Sequence, residues 1–418
     1  MDKIYLCIDL KTFYASVECV ERGLDPFQTD LIVADPSRAI GAICLAISPK
    51  MKSRGISNRC RVYEIPKDIK PIVAKPRMKK YMEYSAEIYK IYLRYISKED
   101  IHVYSIDEAF LDVTSYLKLY KKSAEELAKT ILNDIYKELK LTATVGIGTN
   151  LFLAKVALDI ISKHNSTNIG YLDEKLFKEK LGNHQPLTDF WQIGKGISRR
   201  LEKYNVYTMN GINNLDKNIL YKEFGIEAEY LIDHANGKEP CTIKDIKNYK
   251  PKSKSFSNSQ ILYEDYDEWK AKIVLIEMLD SLIGRLIIHQ LTLQKVGVYI
   301  GYSKDKISSL KYSIPFKEGT DNYHDILDKV CAEYNKKVSK TVPIRRIGIA
   351  FYGLNEKKLQ QMSFFENVAD LEKDIKIHQV MNKIQNKFGK SSVFRAISLK
   401  AGGTQLQRNK LIGGHNAE

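Results

Sequence analysis

The 418-residue sequence has no apolar run approaching the ~18–20 residues that a membrane-spanning helix needs, which removes spanning membrane proteins from consideration. Cysteine is scarce and scattered: Cys7, Cys19, Cys44, Cys60, Cys241 and Cys331 form no C-x-x-C pair and have no partnering histidines. That pattern excludes a disulfide framework or a thiolate zinc site and suits small buried hydrophobes in a reduced compartment. The opening Met1-Asp2-Lys3-Ile4-Tyr5 carries an acid and returns to charge at Asp9, so it does not read as a secretory leader. No internal repeat or low-complexity tract is present. The expected protein is soluble and cytoplasmic, with no membrane partner.

What is present is an ordinary globular composition, 44% apolar and 28% charged, in a chain long enough for two to four compact units. Lys and Arg number 66 against 51 Asp and Glu, a surplus of +15 that is unevenly placed. Residues 1–242 hold 36 basic and 32 acidic side chains, and residues 243–418 hold 30 and 19. A strongly basic C-terminal part beside a near-neutral N-terminal part points to a polyanion-binding module joined to something else, with nucleic acid the favoured partner.

The run Ile4–Ile8 ending in Asp9 reads as a buried strand with a polar group at its C-terminal end. Thr12 can cap a helix from Phe13 to Glu21. Residues 31–34 and 40–47 read as a strand pair, Lys50–Arg54 as a short basic helix, and Met78–Tyr95 as a helix. Two strand-like runs, His102–Ile106 and Ala109–Val113, flank Asp107-Glu108. A helix over Ala124–Leu139, a strand over Thr142–Ile147 and an Asn150-capped helix over Leu151–Ser162 follow. The order β-α-β-β-α-β fits a ferredoxin-like antiparallel sheet with helices on one face. Beyond residue 165 strands stop and short helices run to about 240. Residues 243–257 are polar and basic, as a linker would be, and strands alternate with helices again up to residue 353. Past residue 355 the chain is polar and its end is expected to be mobile.

Asp9 closes one strand and Asp107-Glu108 lies between two others. If the first and the hairpin strands are neighbours, three carboxylates meet at one sheet edge, flanked by Ile8, Ile106 and Phe110, and cannot all stay ionised without compensation. Hard divalent cations supply it, and two of them about 4 Å apart can drive an in-line nucleotidyl displacement. Taken singly, each residue also fits a blander reading: an Asp that caps a turn, and an Asp-Glu hairpin tip. Asp112, on a strand without a partner motif, is assigned to structure.

Five stretches resemble, in order, the motifs of the Y-family translesion DNA polymerases. They are Ile8-Asp9-Leu10-Lys11-Thr12-Phe13-Tyr14-Ala15-Ser16-Val17-Glu18, Tyr104-Ser105-Ile106-Asp107-Glu108-Ala109-Phe110-Leu111-Asp112, Thr144 through Lys155 to Lys163, Phe190-Trp191-Gln192-Ile193-Gly194-Lys195-Gly196-Ile197, and Arg345-Arg346-Ile347-Gly348-Ile349. The fourth is similar to the helix-hairpin-helix of the UmuC-like branch. The resemblance implies a multidomain α+β right-hand polymerase: ferredoxin-like palm (1–11 and 78–165), small fingers (12–77), helical thumb with helix-hairpin-helix (166–240), linker (241–254), separate α+β little finger (255–354) and a C-terminal tail (355–418). It implies low-fidelity translesion synthesis on primer-template DNA with deoxynucleoside triphosphates and two Mg²⁺ ions, in a damage-inducible setting. Asp9 and Asp107 would ligate both ions, Glu108 the catalytic one and the Leu10 carbonyl the nucleotide-bound one.

The same resemblance places Tyr14 as the steric gate against a 2′-hydroxyl, and assigns Thr12, Phe13, Tyr14, Lys52 and Lys163 to the nucleotide. Gly194, Lys195, Gly196, Arg345 and Arg346 would contact DNA. The sequence departs from the family in two places: Ser48-Pro49 replaces a frequent tyrosine, and Gln192 replaces the hairpin's first glycine, a position where positive φ suits Gln poorly. In the tail, Leu359–Glu366 resembles the peptide that docks on the sliding clamp, with Gln361, Met362, Phe364 and Phe365 as its contacts. An accessory UmuD-like subunit is a further implied partner. The alternatives are a DNA-binding regulatory relative with weak or no polymerase activity, and a different two-metal palm enzyme such as a nucleotidyl cyclase, which would lack the hairpin and the basic C-terminal module.

Overall fold

The computed structural model describes residues 3–36, 41–303, 307–357 and 368–418. They form two compact units: the chain up to Tyr249 together with His415–Glu418, and Lys250–Gly414. No helix among the described residues is long and apolar enough to cross a membrane.

In the first unit β1 (Tyr5–Leu10) runs into α1 (Phe13–Val20). β2 (Leu31–Val33), β3 (Ala46–Ile47) and β4 (Ile72–Ala74) make a small sheet in the order β3-β2-β4, with α2 (Pro49–Ser53) between β3 and β4. This part has a core of its own, including Ile32, Cys44, Ile47 and Met51. Then come α3 (Met78–Leu93), β5 (Ile101–Val103), β6 (Glu108–Asp112), α4 (Thr114–Tyr120), α5 (Ala124–Leu139), β7 (Ala143–Gly148), α6 (Leu151–Val156) and β8 (Ile169–Leu172).

The main sheet has the order β5-β6-β1-β7-β8. β1 is antiparallel to both β6 and β7, so the first and the hairpin strands are central neighbours. Every β1 side chain is buried except that of Asp9, which is half-buried. The strand is apolar because it lies inside the sheet, and its one acid stands where the interior ends.

α6 packs directly on β7 because β7 carries glycines where the two backbones meet. A Cβ at Gly148 would lie 2.2 Å from the Ala154 nitrogen, and one at Gly146 would lie 2.0 Å from the Ala154 carbonyl oxygen. Asn150 caps α6, its side chain accepting the Leu153 N–H at 2.8 Å. The helix expected over 151–162 widens into a π-helical turn over Ala157–Ile161. β8 corrects the expectation that strands stop after 165. It is only four residues long, pairs in parallel with β7 and buries Ile169 and Leu172, a pattern too short to stand out from a loop.

Helices α7 (Glu174–Leu181), α8 (Lys195–Glu202), α9 (Met209–Asn214), α10 (Lys217–Phe224) and α11 (Ala228–Ala235) then share a core built on Phe152, Phe177, Phe190, Leu201 and Met209. The linker expected over 241–254 is not extended throughout: it contains α12 (Ile243–Asn248), N-capped by Thr242. Ile243 is buried among Tyr5, Cys7 and Phe110, which the polar and basic neighbours of this isoleucine conceal in the sequence.

The second unit comprises β9 (Ser255–Tyr266), α13 (Glu268–Ile288), β10 (Leu291–Tyr302), β11 (Leu310–Thr320), α14 (Tyr323–Lys337), β12 (Ile344–Tyr352) and α15 (Val368–Phe388). Its antiparallel sheet has the order β11-β10-β12-β9. Val274, Leu275, Met278 and Leu282 of α13 share a core with Val296, Val298, Ile347 and Ile349 of the sheet.

The tail expected to be mobile is ordered where it is described. Glu277 of α13, wholly buried, accepts the Thr404 and Gln405 N–H groups at 3.0 and 3.1 Å and pairs with Arg408 at 3.1 Å. Asp280 pairs with Arg395. His415–Glu418 return to the first unit at the start of α3: the Lys79 N–H donates to the Ala417 carbonyl at 3.0 Å, and the Asn416 amide donates to the Pro76 carbonyl at 3.2 Å.

Substituting Gly148→Ala forces a methyl group into the α6 backbone, so the unfolding free energy of the first unit should fall by about 1–3 kcal/mol or more. A urea titration followed by circular dichroism measures this, and an unchanged midpoint would show that α6 shifts freely.

Candidate active site

The register of β1 and β6 decides where the acids meet. Asp9 lies directly opposite Glu108, and the Leu10 N–H donates to the Asp107 carbonyl at 3.0 Å. Opposed residues of an antiparallel pair share a face with Cα atoms about 4.5–5.5 Å apart, so the two carboxylates cannot avoid one another. The hairpin before β6 is tight, the Tyr104 and Ser105 N–H groups both donating to the Glu108 carbonyl. The Ser105 hydroxyl holds the Asp107 carboxylate at 2.6 Å. Asp112 is tied to Lys3 at 3.1 Å and to the Thr114 N–H and hydroxyl, a structural role.

Lysines balance these acids. Lys155 of α6 meets Glu108 at 2.8 Å and Asp159 at 3.1 Å, and Lys163 meets Asp159 at 2.7 Å and Asp9 at 3.4 Å. The Cys7 thiol also donates to Glu108 at 3.2 Å. Burial pushes the Asp9 carboxyl up to about 6; Lys163 pulls the other way, and the Asp107 and Glu108 charges add to the rise. Burial would lower the Lys155 and Lys163 ammonium groups, but the acidic groups around each raise them instead, the Glu108 and Asp159 carboxylates at Lys155, and Asp9 and Asp159 at Lys163.

The donors Asp9, Asp107 and Glu108 are all hard oxygens, the chemistry that suits Mg²⁺. Among the described residues no three His, Cys, Asp or Glu side chains stand in a metal-holding arrangement. Glu108 pairs with Lys155 instead. The raised Asp9 carboxyl nonetheless marks a site with a surplus of negative charge that a divalent cation would relieve, and in chemistry the donor set fits one.

Of the residues expected to meet the nucleotide, Thr12, Phe13 and Tyr14 lie at the turn from β1 to α1. Thr12 occupies the N-cap position, but the expected side-chain cap does not form. It sits in the left-handed region at φ 45°, and its hydroxyl pairs with Ser16 Oγ at 3.1 Å. A β-branched residue there is strained. Phe13 is buried, whereas Tyr14 is half-buried and lies near enough to Asp107 that this charge, after burial itself, raises its hydroxyl pKa. Lys52 is exposed on α2, and its charge adds to burial in lowering the Lys11 ammonium pKa. Ser48, in place of the frequent tyrosine, is wholly buried and caps α2.

Gly194, Lys195 and Gly196 lie exposed at the start of α8, where Gly194 provides no side-chain cap. Gln192 does take the positive φ, 69°. In the second unit Arg345 leans on Asp265 at 3.4 Å, and Arg346 is exposed over the Tyr299 ring at 5.3 Å. Lys311 over Tyr299 and Lys295 over Tyr352 extend this basic and aromatic face. Gln361, Met362, Phe364 and Phe365 lie outside the described residues. Lys155 and Asp159 were not among the expected site residues, although the i, i+4, i+8 spacing of Lys155, Asp159 and Lys163 places them along one helical face.

Residues 8–159 match the impB/mucB/samB family, and residues 253–364 match the impB/mucB/samB family C-terminal domain. The chain is 33% identical to UvrX of Bacillus subtilis (strain 168) over 422 residues, covering 99% of this chain and 98% of that protein. It is 28% identical to DNA polymerase IV 2 of the same organism, covering 99% of each. A solved Y-family DNA polymerase chimera shares the fold with a TM-score of 0.65 at 22% identity, covering 84% of this chain and 99% of the chimera.

A carboxyl that ionises near 6 in the fold and near 3.9 in the unfolded chain makes the folded state bind the extra proton, so its ionisation at neutral pH costs stability. In divalent-free buffer Asp9→Asn should therefore be more stable than the parent at pH 7.5 by about 1–3 kcal/mol, with the difference closing as pH falls through 6 towards about 4. Paired urea titrations across that range test it; a difference independent of pH would contradict the assignment.

Proposed function

The chain belongs to the impB/mucB/samB family, the Y-family translesion DNA polymerases, and from that premise we propose how its residues carry the reaction. It is a DNA-directed DNA polymerase that copies damaged templates by nucleotidyl transfer, acting in the cytoplasm. The single observation that supports the site assignment is the opposition of Asp9 and Glu108 in the β1–β6 register, with the Asp107 charge near enough to add to the rise of the Asp9 carboxyl.

Asp9, Asp107 and Glu108, with the Leu10 carbonyl, would hold two Mg²⁺ ions. Those ions, when bound, supply activation of the primer 3′-hydroxyl and neutralise charge on the leaving pyrophosphate. Lys163 stands between Asp9 and Asp159, from which its ammonium group can turn to a triphosphate oxygen. Lys52 and the backbone from Thr12 to Tyr14 present further positive character on that side. Tyr14 excludes a 2′-hydroxyl by occupying its space, which rejects ribonucleotides without weakening deoxynucleotide binding.

The exposed amides and ammonium group at Gly194, Lys195 and Gly196, and the face carrying Arg346, suit phosphate contacts that are independent of sequence and weaken with salt. Arg345, engaged with Asp265, sits beside that face. The short segment between Thr12 and Arg77 favours weak checking of base-pair shape. The clamp peptide Gln361–Phe365 offers apolar anchors for a hydrophobic cleft on the sliding clamp, and a UmuD-like subunit is the further partner of this reading. A non-catalytic regulatory relative would have dispensed with a carboxylate, and all three are present.

Primer extension with Mg²⁺ across an abasic site should be robust for the parent and fall by several orders of magnitude in Asp107→Ala plus Glu108→Ala, with DNA binding measured alongside by anisotropy. Extension that survives the double substitution would falsify the assignment. Replacing Met362, Phe364 and Phe365 with Ala should abolish retention on immobilised sliding clamp, and persisting affinity would remove the clamp from the proposal.

A further inference from the structure

A gate that works by collision discriminates only if its ring cannot yield. Tyr14 is poorly held by its own helix: it is the second residue of α1, next to an N-cap without a side-chain hydrogen bond, and it is half-buried. Its support comes from α3. The Tyr81 ring stacks on the Tyr14 ring with centroids 4.5 Å apart and planes inclined by 18°, and Phe13 meets the same Tyr81 ring edge-on at 6.4 Å.

Tyr81 is itself immobilised. It has no exposed surface, and its hydroxyl donates to Glu18 Oε1 at 2.8 Å. Glu18 is also wholly buried, and Arg77 grips both of its oxygens, Nε to Oε1 at 2.9 Å and Nη2 to Oε2 at 3.0 Å. Arg22 binds the same carboxylate and donates to the Glu18 carbonyl at 2.7 Å. Burying a charge with two guanidinium partners gives little net stability compared with apolar packing, but it fixes orientation firmly. The network is placed one ring behind the gate.

We propose that Tyr81 is a positioning residue for sugar discrimination: stacked behind Tyr14 and locked by Glu18, Arg77 and Arg22, it keeps the gate ring from retreating before a 2′-hydroxyl. The proposal rests on the reading of Tyr14 as the gate. The ring pair alone is of a strength that corresponds to about a two- to tenfold change in an equilibrium.

The test compares kcat/KM for a deoxynucleotide and the matching ribonucleotide in the full chain and in Tyr14→Ala, Tyr81→Leu, Tyr81→Phe and Tyr14→Ala plus Tyr81→Leu. Tyr81→Leu should lower the deoxy-to-ribo ratio about two- to tenfold, through faster use of the ribonucleotide, and should add nothing in the Tyr14→Ala background. A merely structural role would slow both nucleotides alike and leave the ratio unmoved, which overturns the proposal. If Tyr81→Leu does not fold, Tyr81→Phe decides: losing the bond to Glu18 should lower the ratio measurably, and an unchanged ratio overturns the proposal. If Tyr14→Ala opens the site while the Tyr81 variants do not, only this proposal falls. If Tyr14→Ala leaves the ratio unchanged, the gate reading falls and this proposal with it.

Discussion

Mutual repulsion among carboxylates at the end of a buried strand is the constraint around which the first unit is arranged. β1 is apolar and enclosed up to Asp9, and the antiparallel register sets that acid opposite another acid, Glu108, on one side and the neutral Thr144 on the other. A side chain on a surface loop could swing away; one in mid-sheet cannot. The answer in this fold is positional. Glycines at 146 and 148 let α6 lie against β7, and that close approach delivers Lys155 and Lys163 to the anions. The lysines make the site tolerable without making it neutral, as the raised Asp9 carboxyl records. A region of retained charge imbalance is what a site for cations and phosphates requires, at some expense of stability.

The neighbouring α1–α3 contact solves a different problem by the opposite means. There, one buried acid, Glu18, receives more than enough positive partners. Burial raises its carboxyl, but bonds from Arg77, Arg22 and Tyr81 outweigh it and hold the carboxyl below its ordinary range. Two acids, the half-buried Asp9 of β1 and the wholly buried Glu18 of α1, thus shift in opposite directions, Asp9 left short of compensation and Glu18 oversupplied. One keeps a surplus of negative charge; the other is held in place by its partners.

The strand-to-helix opening, the acid-bearing hairpin, the helix over Ala124–Leu139 and the Asn150 cap could all be read from pattern, because each has a strong local cause. The opposition of Asp9 and Glu108 followed from one topological assumption, that β1 and β6 are neighbours. What stayed hidden depends on partners distant in sequence. β8 is a strand only because β7 offers it an edge, and α12 is a packed helix only because Tyr5 and Phe110 leave room for Ile243. The C-terminal region looked loose because its anchor, Glu277, lies more than a hundred residues away on α13. Lys155 went unassigned for a similar reason: a lysine on a helix is ordinarily solvated, and nothing local announces that two backbones will meet at Gly146 and Gly148.

The return of His415–Glu418 to the start of α3 makes the first unit discontinuous, with the second unit inserted between Tyr249 and His415. The first unit therefore emerges with one edge unfinished, and that edge is closed only after residues 250–414 have been made. The helix left open in the interval is α3, which carries Tyr81 and is preceded by Arg77. A nascent chain would thus bring its β1 and β6 acids together before the backbone just ahead of Tyr81 is held, which sets the two events in a fixed order.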